Sequence, residues 1–177
     1  VRWLARATAL ALAKRGARVL VADLDEARAI ETARLIGPRK ALAMRVDVAN
    51  DEEVRALVDT CERELGPLFA AVNNAGVALG GDFTEVSAED FDWLFDINFH
   101  GVVRMTRAFL PHLLQRPGAH LTNIASLFSL VAPAGQSAYS ASKFAVRGFT
   151  DALRHELEGR VLGISVVCPG GIATAIA

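Results

Sequence analysis

Runs of strong helix formers alternate along the chain with short apolar runs. The first helical run is LARATALALAKR at 4–15, and the first apolar run is RVLVA at 18–22. Short apolar runs rich in β-branched residues are typical of strands buried on both faces of a parallel sheet. The pattern predicts strands over 18–22, 41–46, 68–72, 119–125 and 163–168. It predicts helices over 4–15, 25–36, 51–65, 88–115 and 137–158.

Turn and capping residues separate these segments. Gly16, Gly37-Pro38 and Gly66-Pro67 follow three of the predicted helices, where C-terminal capping residues are expected. Asn50 is placed to cap the helix that begins at 51, and SAED at 87–90 has the form of a capping box. Helices between parallel strands form βαβ units with right-handed crossovers. We therefore expect an α/β fold with a Rossmann-like, doubly wound parallel sheet.

Polar residues follow the predicted strands. In open α/β sheets, ligands bind beyond the carboxyl ends of the strands. A functional site is therefore expected where these residues meet: Asp23, Asp47, Asn74, Ser126 and Thr174.

Composition and charge exclude several classes of protein. The chain has 177 residues, of which 52% are hydrophobic and 22% charged, and this excludes a disordered chain. The net charge of -1 provides no basic surplus for nucleic acid or an anionic membrane surface. No apolar run approaches the roughly 18 residues that a membrane span needs. Cys61 and Cys168 lie far apart without metal-ligand spacing, so we expect no metal site and a reducing, cytoplasmic location.

The candidate catalytic group is a tyrosine followed by a lysine. Tyr139 and Lys143 are four residues apart in YSASK, which places them on one face of a helix. Ser126 lies upstream at the end of a predicted strand, and Asn98 lies inside a helical pattern where Asn is a poor helix former. Taken singly, each has an ordinary alternative: a chance spacing for the Tyr–Lys pair, a turn residue for Ser126, and a helix break or cap for Asn98.

Taken together, the motifs resemble those of the short-chain dehydrogenase/reductases. The order and spacing match over essentially the whole chain. The motifs are VLVADLD at 19–25, VDV at 46–48, NNAG at 73–76, INFHG at 97–101, NIAS at 123–126, YSASK at 139–143 and PG at 169–170 followed by Thr174.

The resemblance implies an oxidoreductase that transfers a hydride between NAD(H) and an alcohol or ketone. Tyr139 would be the general acid/base, and a cation such as Lys143 stabilises a phenolate. Ser126 would bind the substrate oxygen. Lys143 would also bind the nicotinamide ribose. Asn98 would anchor a water that completes a proton relay to Lys143.

The resemblance also implies a cofactor site. An acidic residue after the second strand of such a fold binds the adenosine ribose, and Asp23 therefore favours NAD over NADP. Asp47 and Val48 are expected at the adenine, and Asn74, Ala75 and Gly76 beneath the adenosine ribose. Ile172 and Thr174 are expected at the nicotinamide carboxamide. The ordinary alternatives are a helix-entry residue for Asp23 and a tight turn for NNAG.

The chain departs from the family pattern at both ends. Trp3 and Ala5 stand where the family's Gly-rich turn has glycines that let the backbone approach a pyrophosphate. The family's first strand, which lies at the centre of the sheet, and its final portion have no counterpart in the sequence. We therefore expect residues 1–177 to form a single, partial NAD(P)-binding Rossmann domain. The alternative is a degenerate, non-catalytic nucleotide-binding protein that has lost the Gly-rich turn.

The two longest predicted helices raise the question of self-association. The helices at 88–115 and 137–158 carry many apolar residues, including Phe109, Leu113, Ala145, Phe149 and Leu153. Members of the family commonly pair such helices, which implies a homodimer or homotetramer. The alternative is that these faces only cover the sheet.

Overall fold

Five parallel strands and six α-helices alternate along residues 2–171, the part of the chain that the computed structural model describes. The strands are β1 Val19–Asp23, β2 Ala41–Arg45, β3 Ala70–Asn73, β4 His120–Ile124 and β5 Gly163–Val167. The helices are α1 Arg2–Lys14, α2 Glu26–Ile36, α3 Asp51–Leu65, α4 Ala88–Phe95, α5 Gly101–Leu113 and α6 Ser137–Glu156. A π-helical turn, Asp96–His100, joins α4 to α5, and a 3-10 turn, Leu127–Ser129, follows β4.

The ends of the helices follow from the capping residues. The side chain of Asn50 accepts hydrogen bonds from the backbone N–H groups of Glu52 and Glu53 at the start of α3. Ser87 accepts one from the backbone N–H of Asp90 at the start of α4. Gly66 ends α3 with φ 86°, a conformation that L side chains rarely adopt. The predicted capping roles of Asn50, Ser87 and Gly66 are therefore confirmed.

The strands form two separate parallel sheets among the described residues. β1 pairs with β2, and β3, β4 and β5 pair in that order. No strand within residues 2–171 pairs with the free edges of both β1 and β3. The predicted α/β fold with a Rossmann-like parallel sheet that lacks its central strand is thereby confirmed.

The two sheets share one hydrophobic core. Most of its buried members come from α3, α5, α6 and the three-stranded sheet, and they include Leu57, Leu121 and Leu153. Leu20 of β1 and Met44 of β2 pack against the same cluster. The guanidinium of Arg18, just before β1, donates to the backbone carbonyls of Glu64 and Leu65 at the end of α3. These contacts hold the two-stranded sheet to the rest of the molecule.

A line of buried polar side chains crosses the three-stranded sheet. Asn73 and Asn123 are register partners on β3 and β4, and the Asn73 amide donates to the Asn123 side-chain oxygen over 2.8 Å. Asn73 also donates to Thr106 of α5 over 3.3 Å, and Asn123 donates to Thr150 of α6 over 2.9 Å. A one-residue slip of either strand would turn one Asn to the opposite face. The line therefore fixes the register that sets where β3 and β4 end.

The helices of the described part of the chain do not include a candidate membrane span, because none combines the required length with sufficient apolar character.

Candidate active site

Tyr139 and Lys143 lie on the buried face of α6, one turn apart. Their exposed fractions are 9% and 2%. The Lys143 Nζ lies 5.7 Å from the centre of the Tyr139 ring and donates to the carbonyl of Ile124 over 3.2 Å. Since Ile124 is the last residue of β4, this bond ties the buried face of α6 to the carboxyl end of the strand that leads into Ser126.

Burial changes the acidity of Lys143. Removing the ammonium from water disfavours its charged form, and this lowers the pKa of Lys143 from its usual value of 10.5 to about 8. Within the described part of the chain no carboxylate forms an ion pair with Lys143 that would oppose this desolvation. At pH 7, below this value, the side chain still carries a positive charge.

Ser126 caps the 3-10 turn, which packs against α6. Its Oγ accepts a hydrogen bond from the backbone N–H of Phe128 over 3.2 Å, and the Phe128 ring packs edge-on against Tyr139 with centroids 5.9 Å apart. The hydroxyl and backbone N–H of Ser129 both donate to the Ser126 carbonyl. With one lone pair of Oγ used by Phe128, the Ser126 hydroxyl proton remains available to an acceptor in the site.

Asn98 occupies the π-helical turn between α4 and α5. The turn interrupts regular helical hydrogen bonding, and π-turns of this kind are frequent at functional sites. The Asn98 side chain is fully buried. Its oxygen accepts from the Val77 backbone N–H over 2.8 Å, and its amide donates to the Val77 carbonyl over 2.9 Å and to the Ser142 Oγ over 3.1 Å.

Gly76 brings the loop after β3 against both groups. A Cβ at this position would lie 3.2 Å from the Asn98 Oδ1 and 3.3 Å from the Lys143 Nζ. Its φ is not positive, so the close approach rather than the backbone conformation requires glycine here. The NNAG segment, the π-helical turn and α6 thus converge at one place.

Of the residues predicted to bind adenosine, Asp23 ends β1 and Asp47 lies two residues after the end of β2. The Asp23 carboxylate accepts from the backbone N–H of Asp25 over 3.0 Å, and Asp47 accepts from that of Ala49 over 2.9 Å. Glu53 accepts from the Asp47 backbone N–H and from Arg45. The first of these bonds is the largest cause of a lowered Glu53 pKa, followed by the bond from Arg45.

The remaining cofactor candidates differ in how far they are buried, and some lie outside the described residues. Val48 is half-buried and packs against the main core, where a Cβ on Gly101 would collide with it. Ala75 is exposed. Ile172 and Thr174 lie outside the described residues, and so does the side chain of Trp3.

A family model described as short chain dehydrogenase matches residues 2–177. The chain belongs to this family. It is 41% identical over 177 residues to SadH of Mycobacterium tuberculosis, a protein named as an oxidoreductase, with 97% of this chain and 64% of SadH covered. It is 35% identical over 167 residues to the ketoacyl reductase HetN of a Nostoc species, with 93% of this chain and 58% of HetN covered.

Solved structures of the short-chain dehydrogenase family have the same fold. A short-chain dehydrogenase/reductase from Burkholderia phymatum in complex with NAD superposes with a TM-score of 0.91 at 35% identity, covering 97% of this chain and 63% of that one. Serine dehydrogenase from Escherichia coli superposes with a TM-score of 0.85 at 29% identity, covering 93% and 77%. The chain thus spans less than two thirds of the length of two curated relatives that it matches, 64% for SadH and 29% for a probable oxidoreductase of Mycobacterium bovis.

Two features of this short-chain dehydrogenase fit a nicotinamide dinucleotide. The Asn74 side-chain oxygen is buried without a hydrogen-bond partner in the described part of the chain, and an unpaired buried oxygen is costly unless a ligand or water satisfies it. The Lys143 ammonium has three protons and one acceptor, Ile124, among the described residues. Both groups therefore retain bonding capacity for polar groups of a ligand.

Sequence reasoning missed several residues that shape this site. Phe128 contacts both Ser126 and Tyr139, and Ser142 contacts both Asn98 and Tyr139. The position of Ser142 inside YSASK, one residue before Lys143, was a usable signal. The Phe128 contact depends on the path of the 3-10 turn, and no periodic pattern predicts that path.

Proposed function

We propose that the protein is an oxidoreductase that transfers a hydride between NAD(H) and an alcohol or ketone, with Tyr139 as the general acid/base. The observation that carries this proposal is the buried Lys143 ammonium 5.7 Å from the Tyr139 ring. A cation held at this distance places a positive charge beside the ring whose hydroxyl is proposed to transfer the proton. When bound, the nicotinamide supplies or accepts the hydride; the protein moves the proton.

The proposed proton transfer uses the two hydroxyl groups of the site. In carbonyl reduction, the Tyr139 hydroxyl donates its proton to the substrate oxygen. The Ser126 hydroxyl donates a hydrogen bond to the same oxygen and orients it, since the Phe128 N–H already occupies one of its lone pairs. In alcohol oxidation the phenolate of Tyr139 accepts the proton instead.

Asn98 and Lys143 are proposed to resupply that proton. Asn98 is fixed by its three side-chain hydrogen bonds, two to Val77 and one to Ser142. Its oxygen and the Lys143 Nζ lie within 3.3 Å of the same point, the Cβ position that Gly76 leaves free. In the proposal, a water held in the π-helical turn passes protons to Lys143 and from there towards Tyr139.

The proposed cofactor is NAD rather than NADP. Asp23 would bind the adenosine ribose hydroxyls, and its negative charge would repel a 2′-phosphate. Leu24, which follows it, offers no cation for that phosphate. Six further residues complete the proposed cofactor site: Asp47, Val48, Asn74, Ala75, Ile172 and Thr174. Gly76 would let the chain pass close beneath the ribose, and Lys143 would bind the nicotinamide ribose hydroxyls.

The alternative of a non-catalytic nucleotide-binding relative is less well supported. The groups that the proposed proton transfer needs are all present, and each is buried or half-buried: Asn98, Ser126, Tyr139 and Lys143. A charged lysine is rarely buried without a carboxylate partner unless it has a function.

The proposed function is tested by turnover of the full-length gene product. NADH consumption is measured with a panel of neutral ketones and aldehydes, and NAD reduction with the corresponding alcohols. The proposal expects turnover of at least one pair in both directions. NADH binding by fluorescence without turnover of any pair would support the non-catalytic alternative.

We also propose that residues 1–177 belong to one domain that forms a homodimer or homotetramer in the cytoplasm. Three of the apolar helix residues are buried in the protein's own core and cannot form such an interface: Phe109, Leu113 and Leu153. Phe144 on α6 is 43% exposed and is a better candidate. Light scattering tests the oligomer, and a monomeric mass would contradict it.

The proposed location in the cytoplasm is compatible with the two free cysteines, Cys61 and Cys168, because the cytoplasm keeps thiols reduced.

A further inference from the structure

Ser142 joins the π-helical turn to the catalytic helix. Its side chain is fully buried at the contact between α6 and the π-helical turn. The Oγ donates to the Tyr139 carbonyl over 2.7 Å and accepts from the Asn98 amide over 3.1 Å. A hydroxyl has one proton to donate, so the bond to Tyr139 leaves its lone pairs directed to Asn98.

We propose that Ser142 is a positioning residue that holds Asn98, and through it the π-helical turn, in register with Tyr139 and Lys143. The inference rests on the proposed function, because Asn98 matters for turnover only if the site transfers a proton. Ser142 has no role in binding substrate or cofactor in this account.

The geometry predicts what the loss of the Ser142 hydroxyl would do to Asn98. The Asn98 amide has two protons, one bonded to Val77 and the other to Ser142. Alanine at 142 would leave the second proton unpaired in a fully buried position, which is unfavourable enough to displace the side chain. Because the Asn98 oxygen faces the same small space as Lys143 beside Gly76, a displaced Asn98 would change the surroundings of the ammonium.

Ser140 provides a matched control on the same helix. Its exposed fraction is 3%, close to that of Ser142, but its Oγ has no hydrogen-bond partner among the described residues. Ser140→Ala and Ser142→Ala therefore remove the same atom from similarly buried positions of α6. The two variants differ in one respect: the Oγ removed from Ser142 contacts Asn98, and the Oγ removed from Ser140 does not.

The first experiment compares these variants in the full-length enzyme. We expect Ser142→Ala to lower kcat about tenfold, the effect of one hydrogen bond, with the NADH dissociation constant within about twofold of wild type. Ser140→Ala should keep the wild-type kcat. Equal kcat values for the two variants would overturn the proposal, because burial in α6 rather than contact with Asn98 would then set the effect.

The second experiment tests whether Ser142 acts through Asn98. In a double-mutant cycle, Ser142→Ala should lower kcat little further once Asn98→Ala is present, since coupled residues are not additive. Additive losses would overturn the proposal. If Ser142→Ala does not fold, Ser142→Cys takes its place in the cycle: its sulfur is a weaker donor and acceptor, so kcat should fall, and an unchanged kcat would overturn the proposal.

A Tyr139→Phe variant in the same series separates the two proposals. If Tyr139→Phe remains active, the proposed function fails. If Tyr139→Phe is inactive and Ser142→Ala is unaffected, the proposed function stands and the positioning role of Ser142 fails.

Discussion

The Lys143 ammonium lies 5.7 Å from the centre of the Tyr139 ring and is held there by the carbonyl of Ile124, 3.2 Å away. The carbonyl belongs to the last residue of β4, so the sheet itself sets the position of the cation. Among the described residues no carboxylate is a hydrogen-bond partner of this buried charge, so its desolvation is unfavourable for folding.

The buried charge predicts a trade-off between stability and activity at Lys143. Lys143→Met keeps the side chain's length and removes its charge, so we expect turnover to be lost. At pH 7 the free energy of unfolding should rise by about 2 kcal/mol, because the desolvation penalty exceeds the one hydrogen bond that is lost. Urea unfolding of both proteins measures the difference.

The same variant has a defined pH dependence. The pKa of Lys143 is lowered from 10.5 to about 8 on folding, so between these values the unfolded chain binds a proton that the folded protein has released. Lys143 therefore makes stability rise with pH across this window, and the advantage of Lys143→Met should shrink between pH 8 and 10.5. Burial raises the pKa of Cys61 from 9.0 to about 11, which makes stability fall with pH in this range. This contribution is the same in wild type and in Lys143→Met, so it cancels in the difference between them. If the free energies of unfolding of Lys143→Met and wild type differed by a constant amount from pH 7 to 10.5, the assignment of a buried charge to Lys143 would be contradicted.

Gly76 is predicted to be required for the space it leaves. Gly76→Ala would place a methyl group 3.2 Å from the Asn98 oxygen and 3.3 Å from the Lys143 nitrogen, so one of them must move. We expect kcat to fall about tenfold or more. Gly148→Ala on α6 is the control, since a Cβ there meets no atom within 4 Å. It should keep kcat and add about 0.5–1 kcal/mol of stability, as Ala does for Gly in a helix.

Most of the fold could be predicted from the sequence, because periodicity and capping residues are local. The helix α3 starts and ends at the predicted residues, and the other elements differ by a few residues at their ends. The separation of β1 from β3 among the described residues was also predictable, because none of the runs predicted as strands belongs between them. The predicted helix over 88–115 is instead two α-helices joined by a π-turn.

The candidate site was predictable only in part, because its contacts join residues far apart in the chain. Motif spacing singled out Tyr139 and Lys143, and strand ends singled out Ser126 and Asn74. The bonds of Asn98 to Val77 and Ser142 span 21 and 44 residues, and no local pattern encodes such contacts. The predicted contact of Ile172 and Thr174 with a nicotinamide remains a prediction.

The line of buried polar groups across β3 and β4 predicts a large effect on stability. Asn123→Ala removes the partner of Asn73 and of Thr150, all of them buried. We expect the free energy of unfolding to fall by about 2–3 kcal/mol. Ser165→Ala, which removes an exposed bond to His120, should change it by less than about 0.5 kcal/mol. If urea unfolding gave the same loss of free energy for Asn123→Ala and Ser165→Ala, the buried polar groups would contribute no more to stability than the exposed bond.

Asp23 and Leu24 are predicted to determine the choice of cofactor. Wild-type enzyme should use NADH with a kcat/KM at least about tenfold above that for NADPH, since a 2′-phosphate would meet the Asp23 carboxylate. The double variant Asp23→Ser, Leu24→Arg removes the negative charge and adds a cation, so the preference should reverse. A wild-type preference for NADPH would contradict the assignment of Asp23.

The most direct test of the account is kcat for Tyr139→Phe in the full-length enzyme, measured beside its NADH affinity. The variant removes one oxygen and keeps the ring that packs against Phe128. We predict that kcat falls by about 10²–10⁴-fold, the usual contribution of a general acid/base, while NADH binds within about threefold of wild type. A kcat within about threefold of wild type would contradict the account, because the proton would then come from another group.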